Sequence, residues 1–582
     1  MERFRLLIFI FLCFGIVNAD GQITFDGKKA AIDNLTSTWL ISVPRATFGA
    51  DYQASVSLDG SVSLCKIDDK VVTDSYTFTN VQPGATYHLM MVRRQDTIHA
   101  NIQFTHWPVI QIYGNYVKKP YRWGTVIYTH PDSTGQESIM SRIRWAGSST
   151  AGSERNKHNF HLKFYNDDGS KKDMSFFGLR SDFHWRLDAG QVDFARVRNR
   201  VAKDIWADFA NPPYYAAYEP KKPYNYVRGD FVEVFLNDQY MGIYSLNEHM
   251  DRQQLKLKKY DYENGVFHGG LWKPMTKTWT TLFMDMPSID ANQKSWDEFY
   301  VKYPNIDDVT PTNFQTLKNA IYFAATASQS VFLDSVKYYF DIPVLRDYYL
   351  FLILLTAPDN VGKNVYYACY DIAEEHPRLT MAIWDLDCTQ GQFYSNSGNY
   401  WHHAMVGPEV DFRADHLKNH TVFYRLYRYE PSFHGLATER YWELRNTTFN
   451  PDSIVARYKA YFDEMKSCGA DQREIRRWSY GSDLGGHELN FDNELLYLQD
   501  WWTRHIAYLD ANVFIPYPAG DTNFDRKVDM DDLSILINHL LGIKQKRFNE
   551  NKADYDQNGQ VDMDDLSKLI NYLLDQSASP ES

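Results

Sequence analysis

Ala357-Pro-Asp359-Asn-Val-Gly-Lys-Asn364, running straight into Val365-Tyr-Tyr-Ala-Cys-Tyr370, decides how most of this chain reads. The apolar text before it predicts a core helix over Ile342 to Thr356, and a proline one residue past Ala357 stops it. The aromatic and β-branched run after it predicts a strand. A second strand is expected at Met381-Ala-Ile-Trp-Asp385-Leu-Asp387, where alternation would place Asp385 and Asp387 on one face and Trp384 and Leu386 on the other. A polar loop hung between a helix and two strands is the text of an α+β domain. Asn364, Asp385 and Asp387 are then an amide and two carboxylates converging on one cleft, an oxygen-rich set that suits Mg²⁺.

The same alternation of types extends from residue 106 to 517. Strand-like runs (Arg142-Ile-Arg-Trp145, Phe160 to Phe164, Phe231 to Leu236) interleave with helical ones (Ala195 to Phe209, Phe314 to Thr326), so one large domain with two lobes around a cleft is expected. Within it, Trp145-Ala-Gly147-Ser148-Ser149-Thr-Ala-Gly-Ser153 is a run of small residues whose backbone N–H groups can approach phosphates closely. Lys157, Asn159, His161 and Lys163 follow at strand spacing on one face, and a lysine there would meet phosphate as a point charge.

The flanks are different in kind. Residues 1–19 carry Arg3 and Arg5, an apolar stretch from Leu6 to Val17 and the small Ala19, which predicts a secretory signal peptide and a secreted or cell-surface location. No later apolar stretch reaches the roughly 20 residues of a membrane span. Residues 20–105 are short alternating runs with turn residues between them, which predict a small β-sandwich acting as spacer or adhesion module. With Lys+Arg 61 against Asp+Glu 74, the chain lacks the basic excess that phosphate backbones demand, so nucleic acid is not an expected partner. Four cysteines remain beyond the signal region, and Cys369 with Cys388 is the best guess for a disulfide.

The tail, 518–582, holds two segments repeating at 33 residues. In the first, Asp521, Asn523, Asp525, Asp529 and Asp532 occupy loop positions 1, 3, 5, 9 and 12; in the second, Asp554, Asp556, Asn558, Asp562 and Asp565 do. With carbonyls of Lys527 and Gln560 at position 7, each loop has the oxygen count and spacing of a Ca²⁺ site. Each runs into an amphipathic helix, Leu533 to Leu541 and Leu566 to Leu574. Calcium loops followed but not preceded by a helix resemble the type I dockerin. That resemblance implies a small all-α domain, two Ca²⁺ and a cohesin-bearing partner.

The large domain carries a second resemblance. Asp359 and Asn364 have the D-x-x-x-x-N spacing of a protein-kinase catalytic loop. Phe235-Leu-Asn-Asp-Gln-Tyr-Met-Gly-Ile-Tyr-Ser-Leu-Asn-Glu248 is similar to a signature segment of the spore-coat-protein-H (CotH) kinase family, and Arg198 to Asp204 and the Trp-Asp-Leu-Asp stretch follow that family in order. The resemblance implies an atypical kinase-like fold transferring phosphate from ATP to a protein. Asp359 would be the base, Asn364 and Asp385 would hold Mg²⁺, Lys157 would be the lysine after the loop, and Glu248 would border the nucleotide. The loop departs from the family's Arg-Gly-Asn-Ser-Ser, reading Trp145-Ala-Gly-Ser-Ser149 instead. The alternative is a non-catalytic surface or polysaccharide-associated module of a dockerin-assembled complex, with aromatics such as Trp501 and Trp502 stacking on sugars. A glycoside hydrolase ranks last, because Asp385 and Asp387 would stand on one side of a glycosidic bond.

Overall fold

The computed structural model describes residues 23–94, 96–147, 156–285, 296–304, 314–395, 402–405, 407–479 and 488–578. The expected signal peptide, Ser148 and Ser149 lie outside the described residues. Secondary structure is mixed α and β with several sheets and a helical C-terminal region.

Residues 23–105 form a four-stranded and a six-stranded sheet. Alternate residues of both, Phe25, Val56 and Phe78 from one and Ile41, Leu89, Met91 and Phe104 from the other, are buried in a shared core. Strand alternation points one face of each sheet into that core, while on the far face of the six-stranded sheet Ala31 and Leu40 are buried against Val109, Phe235 and Tyr240.

Seven strands follow and close a barrel: β1 Val109–Tyr113, β2 Arg122–Thr129, β3 Glu137–Ala146, β4 Asn159–Tyr165, β5 His184–Asp188, β6 Gly229–Leu236 and β7 Tyr240–Glu248. The order is β1-β2-β3-β4-β5-β7-β6, and β6 closes on β1 in parallel. Ile143, Phe160, Leu162, Phe164, Trp185, Leu187, Val234 and Leu246 fill the interior. Period-2 alternation therefore turns Arg144, His161 and Arg186 outward, and because Arg144 pairs with His161 and His161 with Arg186, the three form one row across β3, β4 and β5.

A second sheet faces that row. It is built from β8 Gly270–Pro274, β9 Phe299–Tyr303, β10 Val365–Cys369 and β11 Leu379–Ile383, in the order β9-β8-β10-β11. Behind it pack α1 Arg198–Phe209, α2 Ile342–Leu355, α3 Pro451–Lys466 and α5 Phe491–Asn512, whose apolar faces share the largest core, while α4 Ala470–Trp478 lies against β7 of the barrel. Trp501 and Trp502 belong to that core at 1% and 0% exposure, so they are closed to any sugar. The four cysteines outside residues 1–22 are buried, and none of them is in a disulfide. The expected Cys369–Cys388 bridge does not form: Cys369 faces Leu379 at one end of the β10–β11 hairpin, whereas Cys388 follows the other end, where Val365 faces Ile383.

In the tail, α6 Met530–Leu540 and α7 Met563–Ala578 follow the two loops and enclose Leu536, Ala553, Leu566 and Leu569. The first loop leans on the large domain. Phe524 is 3% exposed and lies against Gly435, where a Cβ would come within 2.1 Å of the ring, and Arg547 pairs with Glu430 at 2.8 Å. No helix among the described residues is long and apolar enough to cross a membrane.

Candidate active site

The outward row of the barrel and the second sheet bound a cleft of about 580 Å³. That volume suits a nucleotide-sized ligand. From the barrel side come Lys118, Lys119, Arg144, Gly147, His161, Arg186 and His249. From the opposite wall come Lys273, Tyr300, Lys302, Tyr366, Trp384 and the acidic floor Asp359, Asp385 and Asp387, with Lys363 and Asn364. Seven cationic side chains thus face three carboxylates in one cavity. A polyanion accompanied by a divalent cation would balance both sets, whereas either alone would leave uncompensated charge.

The floor is held by its own backbone. Helix α2 ends at Thr356 in the left-handed region (φ +48), and a short helical turn, Pro358–Asn360, presents Asp359. Asn360 is fully buried, and its Nδ2 donates to the carbonyl of Asn364 at 3.0 Å and to that of Trp384 at 2.8 Å. One amide therefore stitches the Asp359 loop to the segment that carries Asp385. From the other side Asn199 of α1 accepts from the Leu386 N–H at 3.2 Å and donates to Asp188 at 2.6 Å. Asp385 and Asp387 do not share a strand face as expected. Strand β11 ends at Ile383 and Asp385 turns left-handed (φ +59), so a loop, not alternation, brings both carboxylates to the cleft.

Asp359 keeps 30% of its side chain open and accepts from Asn364 Nδ2 at 2.7 Å and from Lys363 Nζ at 3.1 and 3.2 Å. Burial pulls the Lys363 ammonium down, but the charge and hydrogen bond of Asp359 together with the charge of Asp385 hold the group above its ordinary value. Burial drives Asp387 well above the carboxylate range, and the charges of Asp385, Asp188, Asp193 and Asp359 push it further. Four carboxylates crowding one buried acid is an arrangement that a dication relieves. Asp359, Asn364, Asp385 and Asp387 supply the hard oxygen donors that Mg²⁺ prefers, so the residues fit that ion. Lys273 is lowered to about 7, first by burial and then by Lys302, Arg186 and Lys363, against an opposing pull from Asp385.

Three expected phosphate or nucleotide contacts fall elsewhere. Lys157 precedes β4 and is sealed at 0% exposure, donating to Glu474 Oε1 at 2.7 Å and to the Ile243 carbonyl at 2.9 Å. Lys163 faces outward like His161 but lies one strand repeat beyond the cleft, over the Tyr121 ring at 4.6 Å. Glu248 shares the inward parity of Leu246; it is 1% exposed and clamped by Arg228 at 2.6 and 3.0 Å. Gly147 does line the cleft, with φ +103. The cations that do line the cleft on its two walls include Arg144, Arg186, Lys273 and Lys302. Arg144 stands one residue before Trp145, so an arginine reaches this place from the adjacent position.

The tail loops repeat one geometry. Asp521 accepts from the N–H groups of Phe524 and Arg526 at 2.8 and 2.7 Å, and Asp554 accepts from Asn558 and Gly559 at 3.0 and 2.9 Å. Asp532 and Asp565 are fully buried at the far end of each loop. Carboxylate oxygens of Asp554, Asp556 and Asp565 lie within 4.8 Å of one another, a donor set that fits Ca²⁺.

A family model described as CotH kinase protein matches residues 143–509, and one described as Dockerin type I domain matches residues 519–574. No curated protein matches the chain.

Proposed function

Because the chain belongs to the CotH kinase protein family and ends in a type I dockerin domain, we propose that it is an exported, Mg²⁺-dependent protein kinase of atypical, kinase-like fold, tethered to a cohesin-bearing partner through its tail. The observation that carries the catalytic reading is the cleft itself, seven cations over a floor of three carboxylates. In this reading Arg144, Arg186, Lys273 and Lys302 take up the charge of ATP phosphates. Asn364, Asp385 and Asp387 would hold Mg²⁺, whose charge would offset that of the transferring phosphoryl group. Asp359, oriented by Asn364 and Lys363, accepts the proton of the acceptor hydroxyl as its oxygen bonds to phosphorus and the bond to ADP breaks. Asn360 is a positioning residue that keeps the base and the metal-binding floor at fixed separation.

Tethering rests on the duplicated tail. Met530 and Met563, Ile537 and Ile570, and Leu541 and Leu574 are exposed pairs related by the repeat. Two Ca²⁺ held by Asp521, Asn523, Asp525, Lys527, Asp529 and Asp532, and by Asp554, Asp556, Asn558, Gln560, Asp562 and Asp565, would order these helices for a cohesin. The catalytic proposal is tested by calorimetric titration of the full chain with ATP and Mg²⁺, joined to transfer of the labelled γ-phosphate to protein. Saturable, Mg²⁺-dependent binding with transfer is expected, and the reading fails if neither occurs at millimolar ATP.

A further inference from the structure

We propose that His161, His184 and His249 form a transition-metal site on the barrel wall of the cleft, separate from the carboxylate floor. The three come from neighbouring parts of one rigid wall: His161 from β4, His184 from the start of β5, and His249 from the residue after β7, which pairs with β5. Their ring nitrogens lie within 4.8 Å of one another. Nδ1 of His161 and Nε2 of His184 are 3.1 Å apart, and the His184 and His249 rings stack at 4.0 Å between centroids. His161 and His249 both line the cleft.

Nδ1 of His249 is sealed from solvent and has no hydrogen-bond partner among the described residues. A buried polar nitrogen without a partner is costly and calls for an explanation, and an ion bonded to it supplies one. Metal–nitrogen bonds of about 2.0–2.1 Å in a tetrahedral arrangement require each nitrogen to close in by under about 1 Å. Burial, then the adjacent histidine and then the surrounding cations, hold His161 and His184 well below the ordinary histidine value, and burial is the main cause that lowers His249 to about 3. The imidazoles are therefore neutral near pH 7, the form that ligates.

Three neutral nitrogens choose the class of ion. Zn²⁺, Co²⁺, Ni²⁺ and Cu²⁺ accept imidazole, whereas Mg²⁺ and Ca²⁺ prefer oxygen and belong to the floor and the tail. The surrounding charge selects what completes the shell. Arg180 is engaged by Asp182 at 3.0 Å and Asp251 at 2.9 Å, but Arg144 and Arg186 face the cleft beside His161. An anionic oxygen ligand in the fourth position, hydroxide, carboxylate or phosphate, would offset those guanidinium groups and the ion together.

The test uses the full chain kept in excess Ca²⁺, so that the tail loops are filled, and titrated with Zn²⁺ by calorimetry and with Co²⁺ by visible absorption. One equivalent of Zn²⁺ should bind at micromolar or tighter affinity, and Co²⁺ should give the absorption of a four-coordinate, nitrogen-rich site. His161→Ala and His249→Ala should each weaken binding by about 100-fold or more, since loss of even an outer-shell partner costs 10–100-fold. Asp359→Asn should leave it unchanged. The proposal is overturned if Zn²⁺ binds no tighter than millimolar, if both histidine variants retain the equivalent, or if Co²⁺ gives only the weak spectrum of an oxygen-ligated ion. The Co²⁺ spectrum of the unmodified chain decides the matter even where a variant does not fold.

Discussion

Two collections of charge, one sealed behind the barrel and one lining the cleft, use the same residue types to opposite ends. In the sealed set, Glu474 meets Lys157 and Arg196 through Oε1, each at 2.7 Å, and the Ile243 N–H through Oε2 at 2.8 Å. Beside it Arg473 grips Glu233 at 2.7 and 2.8 Å. Gly242, at φ +96, makes this possible, because a Cβ there would fall 2.0 Å from the Glu474 carboxylate. In the cleft, Asp359, Asp385 and Asp387 crowd together beneath cations that face space. Charge that is buried and paired fixes a structure; charge that is displayed and only partly partnered awaits a ligand.

The comparison breaks hardest at Asp359. Asp359→Asn keeps the shape and the hydrogen-bonding geometry but removes the proton acceptor, so phosphate transfer should fall by roughly 10³-fold, with thermal unfolding nearly unchanged. A variant that transferred phosphate at the original rate would remove Asp359 from the base's role. Glu474→Ala should do the reverse. Stripping one partner from a buried ion pair costs about 3–5 kcal/mol, and here it strands both Lys157 and Arg196. Denaturant unfolding of Glu474→Ala should show that loss. Any remaining folded protein should bind ATP and Mg²⁺ as before, and a selective loss of nucleotide affinity would mean that the sealed set belongs to the site after all.

The floor was legible in sequence and the wall was not, for a physical reason. Asp359, Asn364, Asp385 and Asp387 sit within 29 positions, so local spacing gathers them. Even there the mechanism differed, since a left-handed Asp385 replaced the expected strand alternation. The cationic wall instead depends on which strands become neighbours. Arg144, His161 and Arg186 meet only through cross-strand register, and Lys273 and Lys302 belong to a different sheet. Lys157 misled because its partner Glu474 lies 317 residues downstream. The tail was readable for the opposite reason: each loop finds its donors within a dozen residues, and the repeat states the pattern twice. Lys363 was present in the decisive stretch throughout, and its i,i+4 relation to Asp359 was the available signal.

Asn360 offers a way to sharpen the contrast between sealed and displayed groups, since it is sealed yet acts on what is displayed. Asn360→Ala loses both ties, to Asn364 and to Trp384. Misplacement of a reacting group by about 1 Å costs on the order of 10²-fold in rate. The expected signature is a fall in kcat of that size with KM for ATP little altered. A rise in KM alone would place Asn360 with the binding wall and not with the floor.

The smallest effect tests the wall by pH. Lys273 has an ammonium group lowered to about 7 by burial and by Lys302, Arg186 and Lys363. The sign follows from which form the ligand prefers. Below about pH 7 the ammonium is present before phosphate arrives; above it the empty cleft holds a neutral amine that must take up a proton as the polyanion binds. Affinity for ATP with Mg²⁺ should therefore decline from about pH 7 to about pH 8.5, by at most about tenfold per unit, because one pKa unit corresponds to 1.36 kcal/mol. Calorimetry in buffers of different ionisation enthalpy should register proton uptake on the alkaline side. Lys273→Arg, charged throughout this range, should flatten the decline and abolish the uptake. If affinity stays level in the unmodified protein, or the decline survives in Lys273→Arg, then Lys273 does not face the phosphates, and the wall owes its attraction to Arg144, Arg186 and Lys302.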